Sequence, residues 1–273
     1  MKKVKIALIQ SGVVYGDAEK NLAAAESLLN GIHENYDIAL LPECFDFGWA
    51  NPDAANLAMP IPNFVTERLC AIAKSKDIHI VAGITELGEN NKPCNTSILI
   101  DDRGKITGKH SKINILTEVE YMYAVGTSVS VFDSKFGKIG IPICADNNTN
   151  PLAIPEAMAR MGCALILSPC SWAVPPAFIE NKEVYGESWI VPYKKIAARY
   201  KIPVLGCSNV GKVSCGEWEG YSCIGNSIVV TADCEVIALP FGEDAACTKV
   251  VELTLYDRPA LGTALEGIVG FQR

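Results

Sequence analysis

Hydrophobic positions along the chain fall into two rhythms, short strand-like runs and longer stripes at helical spacing. Residues 4–10 alternate and then run apolar, as a strand entering a core does. Asp17 is placed to cap a helix whose Ala18, Leu22, Ala25, Leu29 and Ile32 share one face. Residues 37–43, ending Leu41-Pro42-Glu43, are too continuously apolar for a half-solvated strand, and Pro42 limits pairing at the end. Glu43 is therefore expected at the mouth of a buried sheet. Val65, Leu69, Ile72 and Ala73 predict a second helix, and residues 78–84 a third strand.

The pattern then changes to hairpins. Ser97-Ile98-Leu99-Ile100 and Ile106-Thr107-Gly108-Lys109 flank the turn chemistry of Asp101-Asp102-Arg103-Gly104. A second strand pair is expected at Val129 to Phe132 and Ile139 to Ile143. Pro151 opens a helix carrying Ile154, Ala157, Met158 and Met161 on one side. A strand at Ala164 to Leu167, a helix through Tyr193, Ile196, Ala197 and Tyr200, a strand at Pro203 to Cys207, a hairpin from Asn226 to Leu239 and a last strand from Thr248 to Leu255 complete the order. The second half repeats the scheme of the first. Alternating strands and helices with interposed hairpins favour an α/β chain of two mixed sheets face to face with helices outside, an α-β-β-α sandwich, over one doubly wound sheet.

Composition narrows the class. The 273 residues are 49% hydrophobic, enough for a large core, and no Pro/Gly/Ser-rich linker or charge block divides them, so residues 1–273 read as one domain. The apolar run near the start ends at Gln10 without a small-residue cleavage site and reads as a first strand; nothing is long enough to span a membrane. A net charge of −7 with both signs interspersed argues against nucleic acid and anionic membrane as partners and leaves small molecules. The eleven cysteines are odd in number and many sit in strand-like contexts, which points to free thiols in a reducing cytoplasm. With His33, His79 and His110 the only histidines and no Cys-x-x-Cys, a metal site is not expected. No Gly-x-Gly-x-x-Gly or Walker loop supports a nucleotide, so no cofactor is expected.

One stretch carries candidate chemistry by itself. Ile139 to Ile143 deliver Cys144 into the small and polar Ala145-Asp146-Asn147-Asn148, as a strand delivers a nucleophile into a tight turn. Glu43 and Lys112 occupy comparable places, each where a strand ends and a loop begins. No resolving cysteine accompanies Cys144 in an obvious motif.

These residues carry a resemblance. Leu41-Pro42-Glu43, Gly108-Lys109-His110-Ser111-Lys112 and Ile143-Cys144-Ala145-Asp146 are similar to the three signatures of the nitrilase-related carbon–nitrogen hydrolases. Ser168-Pro169-Cys170-Ser171-Trp172, Asn209-Val210-Gly211 and Gly225-Asn226-Ser227 extend the likeness over nearly the whole chain. The resemblance implies Glu43 as general base, Cys144 as nucleophile and Lys112 as the cation that helps hold the oxyanion. It implies a further acid before Gly126, with Glu120 preferred to Glu118. Ala145, Asn147 and Trp172 are expected beside the substrate.

The match is with the amidase and carbamoyl-amide branches, because Cys144-Ala145-Asp146 replaces the Cys-Trp-Glu of nitrile hydrolysers. Asn147 to Pro151 stands where many members carry an Arg-Phe-Pro-Glu type segment. The expectation is therefore hydrolysis of a small amide through a thioester on Cys144. The alternatives are an N-carbamoyl amidohydrolase or a thiol-sensing protein on the same scaffold. Family habit also implies a homodimer, with Leu261 to Arg273 as its contact. Finally, Glu180, Glu183 and Glu187 with Tyr185 and Trp189 form a composition suited to a neutral or cationic group.

Overall fold

A computed structural model describes residues 1–180 and 186–257. Strand β1 (Lys2–Gln10) leads to helix α1 (Ala18–Asn30), which Asp17 caps by accepting from Lys20 N at 3.1 Å. Then come β2 (Ile38–Leu40), the single turn α2 (Ala54–Leu57), α3 (Phe64–Lys76) and β3 (His79–Leu87). Asn63 and Thr66 close a capping box at the start of α3. The first hairpin is β4 (Pro93–Ile100) with β5 (Ile106–Ser111), and the second is β6 (Phe132–Ser134) with β7 (Gly137–Gly140).

The second half continues with α4 (Ala153–Arg160), β8 (Cys163–Cys170), β9 (Ala173–Val174), α5 (Pro176–Glu180), α6 (Glu187–Tyr200) and β10 (Val204–Ser208). Four short strands follow, β11 (Val210–Lys212), β12 (Ser222–Ile224), β13 (Ile228–Val230) and β14 (Val236–Ala238), before β15 (Cys247–Leu255).

Two six-stranded sheets result, ordered β15-β1-β2-β3-β4-β5 and β14-β13-β10-β8-β7-β6. Taken from β15 and from β6, both run antiparallel, parallel, parallel, antiparallel, antiparallel, so the halves repeat one scheme as their patterning suggests. The period of two along each strand sorts side chains between layers. Ile6, Leu8, Ile38 and Leu40 join Ile139, Leu165, Leu167 and Leu205 in the core between the sheets. The alternate residues Ala7, Ile9, Ala39 and Leu41 pack with Leu22 and Leu29 of α1 and Leu69 and Ile72 of α3. Ile166 and Val204 are covered by Met158, Tyr193 and Ile196 from α4 and α6. The layers are therefore α-β-β-α. Each fully buried Leu or Ile contributes about 2 kcal/mol to holding them together.

Several boundaries differ from the sequence reading. Val129 and Val131 are not in a strand: they pack half-buried on the second-sheet cluster, and the ladder begins at Phe132, opposite Ile139. Ile32 lies beyond the end of α1. Pro151 sits in a turn and α4 starts at Ala153. A small third sheet, β11-β12-β9, was not expected, its strands being two or three residues long. The expected contact tail, Leu261 to Arg273, lies outside the described residues. Among the described residues no helix is long and apolar enough to cross a membrane.

Candidate active site

Three loops at strand ends meet in the interior. After β2 the chain turns at Pro42, where Gly83 of β3 donates its N–H to Pro42 O at 3.0 Å. A Cβ on Gly83 would stand 2.6 Å from Glu43 Cα, so only glycine allows this loop to lie so close to the strand. Glu43 N in turn donates to Cys170 O at 3.2 Å, tying the loop to the second sheet. The Glu43 side chain is fully buried.

Lys112 follows β5 directly. Its N–H donates to Asn95 O at 2.8 Å, and its own carbonyl accepts from Gly126 N at 2.8 Å. A Cβ on Gly126 would lie 2.0 Å from Ser111 O, so this glycine lets the following loop close over the lysine. The buried ammonium donates to Glu43 Oε1 at 2.8 Å and to Glu120 Oε1 at 2.6 Å. Asn95 Nδ2 bridges the same two oxygens at 2.7 and 3.3 Å. Trp49 Nε1 donates to Glu120 Oε1 at 2.7 Å, and Leu116 N donates to its Oε2 at 2.8 Å. Of the two carboxylates weighed from sequence, Glu120 meets the lysine, whereas Glu118 is exposed.

One lone pair set is left over. Glu43 Oε2 is buried with no hydrogen-bond partner among the described residues. Burial pushes the Glu43 carboxyl up to about 7; the Lys112 ammonium pulls it down, and the Glu120 charge pushes it up again. For Lys112, burial disfavours the charged form, but the Glu120 and Glu43 carboxylates outweigh it and hold the ammonium above its ordinary range.

Cys144 opens a 3-10 turn, Cys144–Asn147, with φ +41°, a left-handed conformation that costs a non-glycine residue about 1–3 kcal/mol. Asp146 holds the turn in place. Its Oδ2 accepts from Ile143 N at 3.1 Å and meets His110 Nε2 at 2.9 Å. Its Oδ1 accepts from Ile113 N at 3.1 Å, Asn114 N at 2.8 Å and Asn114 Nδ2 at 3.1 Å. One buried carboxylate thus fastens the cysteine turn to the loop after Lys112, and its hydrogen bonds with His110 and these amides outweigh its burial and hold it below the usual range. The Cys144 thiol is pushed well up by burial, then by its hydrogen bond with Cys170 and the Glu43 charge, while Lys112 opposes.

The structure joins Glu43 and Glu120 through Lys112, and the charges of Glu43 and Lys112 reach the Cys144 thiol. Ala145 and Asn147 lie buried in the cysteine turn, with Asn147 Nδ2 donating to Ser168 Oγ at 2.9 Å. Trp172 is buried and stacked on Trp189 with ring centroids 4.9 Å apart. Glu187 is exposed at the start of α6; Glu183, Tyr185 and the side chain of Glu180 lie outside the described residues. Asn95 and Trp49 escaped the sequence reading, and Asp146, His110 and Ser168 entered it only as parts of the motifs, without a role. No pattern marked Asn95, which stands between Cys94 and Thr96, or His110, which stands between Lys109 and Ser111. Cys170 also entered without a role: contrary to expectation, a second thiol stands beside Cys144. Among the described residues no group of three or more His, Cys, Asp or Glu is arranged to hold a metal.

A buried carboxylate–ammonium pair thus lies beside a cysteine on a left-handed turn, at the strand ends of an α-β-β-α sandwich. The chain belongs to the carbon–nitrogen hydrolase family, whose model matches residues 5–258. Omega-amidase NIT2 of Xenopus tropicalis is 24% identical over 262 residues, 93% of this chain and 90% of the relative. Omega-amidase NIT2 of Mus musculus is 26% identical over 178 residues, 62% of this chain and 64% of the relative. Among solved structures, Nit3 of Saccharomyces cerevisiae, a member of the nitrilase superfamily, superposes with a TM-score of 0.76 at 22% identity, covering 100% of this chain and 96% of that one. A mutant amidase from Nesterenkonia sp. AN1 in complex with acrylamide gives 0.74 at 19% identity, covering 92% and 90%. Both structural likenesses concern the fold.

Proposed function

We propose that this chain is a cysteine-dependent amidase that cleaves a small, non-peptide amide through a thioester on Cys144. Glu43 takes the Cys144 proton as the sulfur attacks the amide carbon, then delivers it to the departing ammonia or amine. A base near pKa 7 suits both transfers. Lys112 and the N–H of Ala145 stabilise the oxyanion of each tetrahedral intermediate. Water, deprotonated by Glu43, then hydrolyses the thioester. Glu120 has the role of keeping Lys112 charged and aimed, since it contributes a second carboxylate to the ammonium without leaving Glu43 to hold it alone. Ala145, Asn147 and Trp172 border the substrate.

The observation that carries this reading is the asymmetry of Glu43. Lys112 and Asn95 occupy Oε1, and buried Oε2 has no partner among the described residues, which leaves one basic oxygen for a proton in transit. The amide assignment draws on the relatives named omega-amidase. The chain acts as one domain over residues 1–273, in the cytoplasm, as a homodimer; its eleven cysteines are all free thiols, as a reducing compartment requires.

The test is ammonia release from a panel of small amides and N-carbamoyl compounds, with hydroxylamine trapping of the acyl-enzyme. Turnover of amides by the native chain and its loss in Cys144→Ala is the expected result. A carbamoyl preference would move the substrate class, and undiminished turnover in Cys144→Ala would remove the nucleophile. Sedimentation at micromolar concentration tests the dimer.

A further inference from the structure

Cys170 ends β8, and Cys144 opens the turn after β7, its parallel neighbour. The last paired residues of these two strands are Gly140 and Ile166, four residues before Cys144 and four before Cys170. The two thiols come within hydrogen-bond reach of each other. Ser168 ties the two ends together: its hydroxyl accepts from Cys144 N at 3.0 Å and lies 3.4 Å from Cys170 Sγ. Both thiols belong to one buried cluster with Tyr193, whose hydroxyl is 3.8 Å from Cys170 Sγ. Neither the fold nor the amidase chemistry requires a thiol at position 170, where a small apolar residue would fill the same space.

We propose that Cys144 and Cys170 are a peroxide-modification site, in which hydrogen peroxide converts the two thiols into a reversible intramolecular disulfide. The pairing rests on geometry alone; its effect on turnover rests on Cys144 being the nucleophile. In the first step Glu43 accepts the Cys144 proton and the sulfur attacks one peroxide oxygen. The O–O bond breaks, and the second oxygen leaves as hydroxide, which takes up the proton to become water. In the second step the Cys170 sulfur attacks the Cys144 sulfenic sulfur. The S–O bond breaks, and hydroxide leaves with the Cys170 proton as a second water. Two thiols have lost two electrons and one peroxide has gained them.

The disulfide protects the nucleophile. A lone sulfenic acid proceeds to sulfinic acid, which thiol reductants do not reverse, whereas a disulfide is returned to two thiols by dithiothreitol. A neighbouring thiol that captures the first oxidation product therefore changes an irreversible loss into a recoverable one.

The experiment treats the reduced full-length protein with hydrogen peroxide, blocks remaining thiols under denaturing conditions and maps tryptic peptides by mass spectrometry. Cleavage at Lys138 and Arg160 isolates Cys144 from every other cysteine, while its partner peptide holds Cys163 and Cys170, which fragmentation distinguishes. The expected product is a Cys144–Cys170 cross-link lighter by two hydrogens, with activity lost in parallel and restored by dithiothreitol. In Cys170→Ala the cross-link is absent, Cys144 is recovered as sulfinic acid and dithiothreitol restores little of the activity lost. Cys170→Ser serves the same purpose if the alanine variant does not fold. Recovery of Cys144 as sulfinic acid in the native sequence, a cross-link to Cys163 instead, or recovery by dithiothreitol in the position-170 variants equal to that of the native sequence overturns the proposal. A cross-link in a protein that releases neither ammonia nor an amine from any amide would uphold the pair and refute the amidase reading.

Discussion

The Lys112 ammonium stands 2.8 Å from Glu43 Oε1 with both side chains fully buried, and Glu120 competes for it at 2.6 Å. Burial makes Glu43 basic, and the one cation, divided between two carboxylates, does not offset it. As the proposed general base Glu43 has to be ionised, so kcat/KM is expected to rise with pH up to about 7 and to fall about tenfold per unit below it. Glu43→Gln is expected to cost several orders of magnitude and to abolish that acid limb. A pH profile of the variant that keeps the limb would assign it to another group.

The same raised value affects stability. Between the ordinary 4.5 and about 7 the folded chain holds the Glu43 proton and the unfolded chain has released it. Its contribution to stability is therefore full below that window and is lost as pH rises through it. Urea denaturation across pH 4.5–7 is expected to show this decline in the native sequence and a flatter profile in Glu43→Gln.

Removing Lys112 acts on rate and on proton affinity together. Lys112→Ala is expected to lose at least about a hundredfold in kcat, since the proposed oxyanion donor is gone. It also strands two buried carboxylates, at a cost of about 3–5 kcal/mol. Because the ammonium lowers Glu43, its removal shifts the acid limb of residual activity to higher pH. A loss below about tenfold, or an unmoved limb, would dissociate Lys112 from both roles.

Asp146 receives four backbone and side-chain donors besides the ring of His110. Asp146→Ala leaves those groups buried and unpaired, so a destabilisation of about 3 kcal/mol or more is expected, with kcat reduced because the Cys144 turn loses its anchor. Equilibrium unfolding within about 0.5 kcal/mol of the native value would show that the turn is held by other means.

Substrate charge follows from where the arginines lie. Arg68 and Arg199 pair with Glu26 and Glu156 at the surface, and neither these nor Arg103 and Arg160 belong to the loops carrying Glu43, Lys112 or Cys144. A carboxylate on the substrate finds no bidentate arginine among the described residues of those loops. Neutral or amine-bearing amides are therefore expected to show higher kcat/KM than matched carboxylate-bearing ones. Matched pairs assayed on the native chain and on Glu180→Gln, Glu183→Gln and Glu187→Gln decide it: a preference for the carboxylate member reverses the expectation.

Much of this protein was determined by local pattern. The alternation of Ile6 and Leu8 with Ala7 and Ile9 assigns one face to the sheet interface and the other to the helices, because side-chain direction in a strand repeats every two residues. Asp17 signals the start of α1 through a hydrogen bond made within three residues. Glu43, Lys112 and Cys144 were legible because each closes a strand-like run. The pairing of β15 with β1, the bridge of Asn95 between two carboxylates, the anchoring of His110 by Asp146 and the approach of Cys170 to Cys144 were decided by tertiary structure. Those contacts join residues far apart in the chain, and periodicity fixes which way a side chain points without fixing which strand becomes its neighbour.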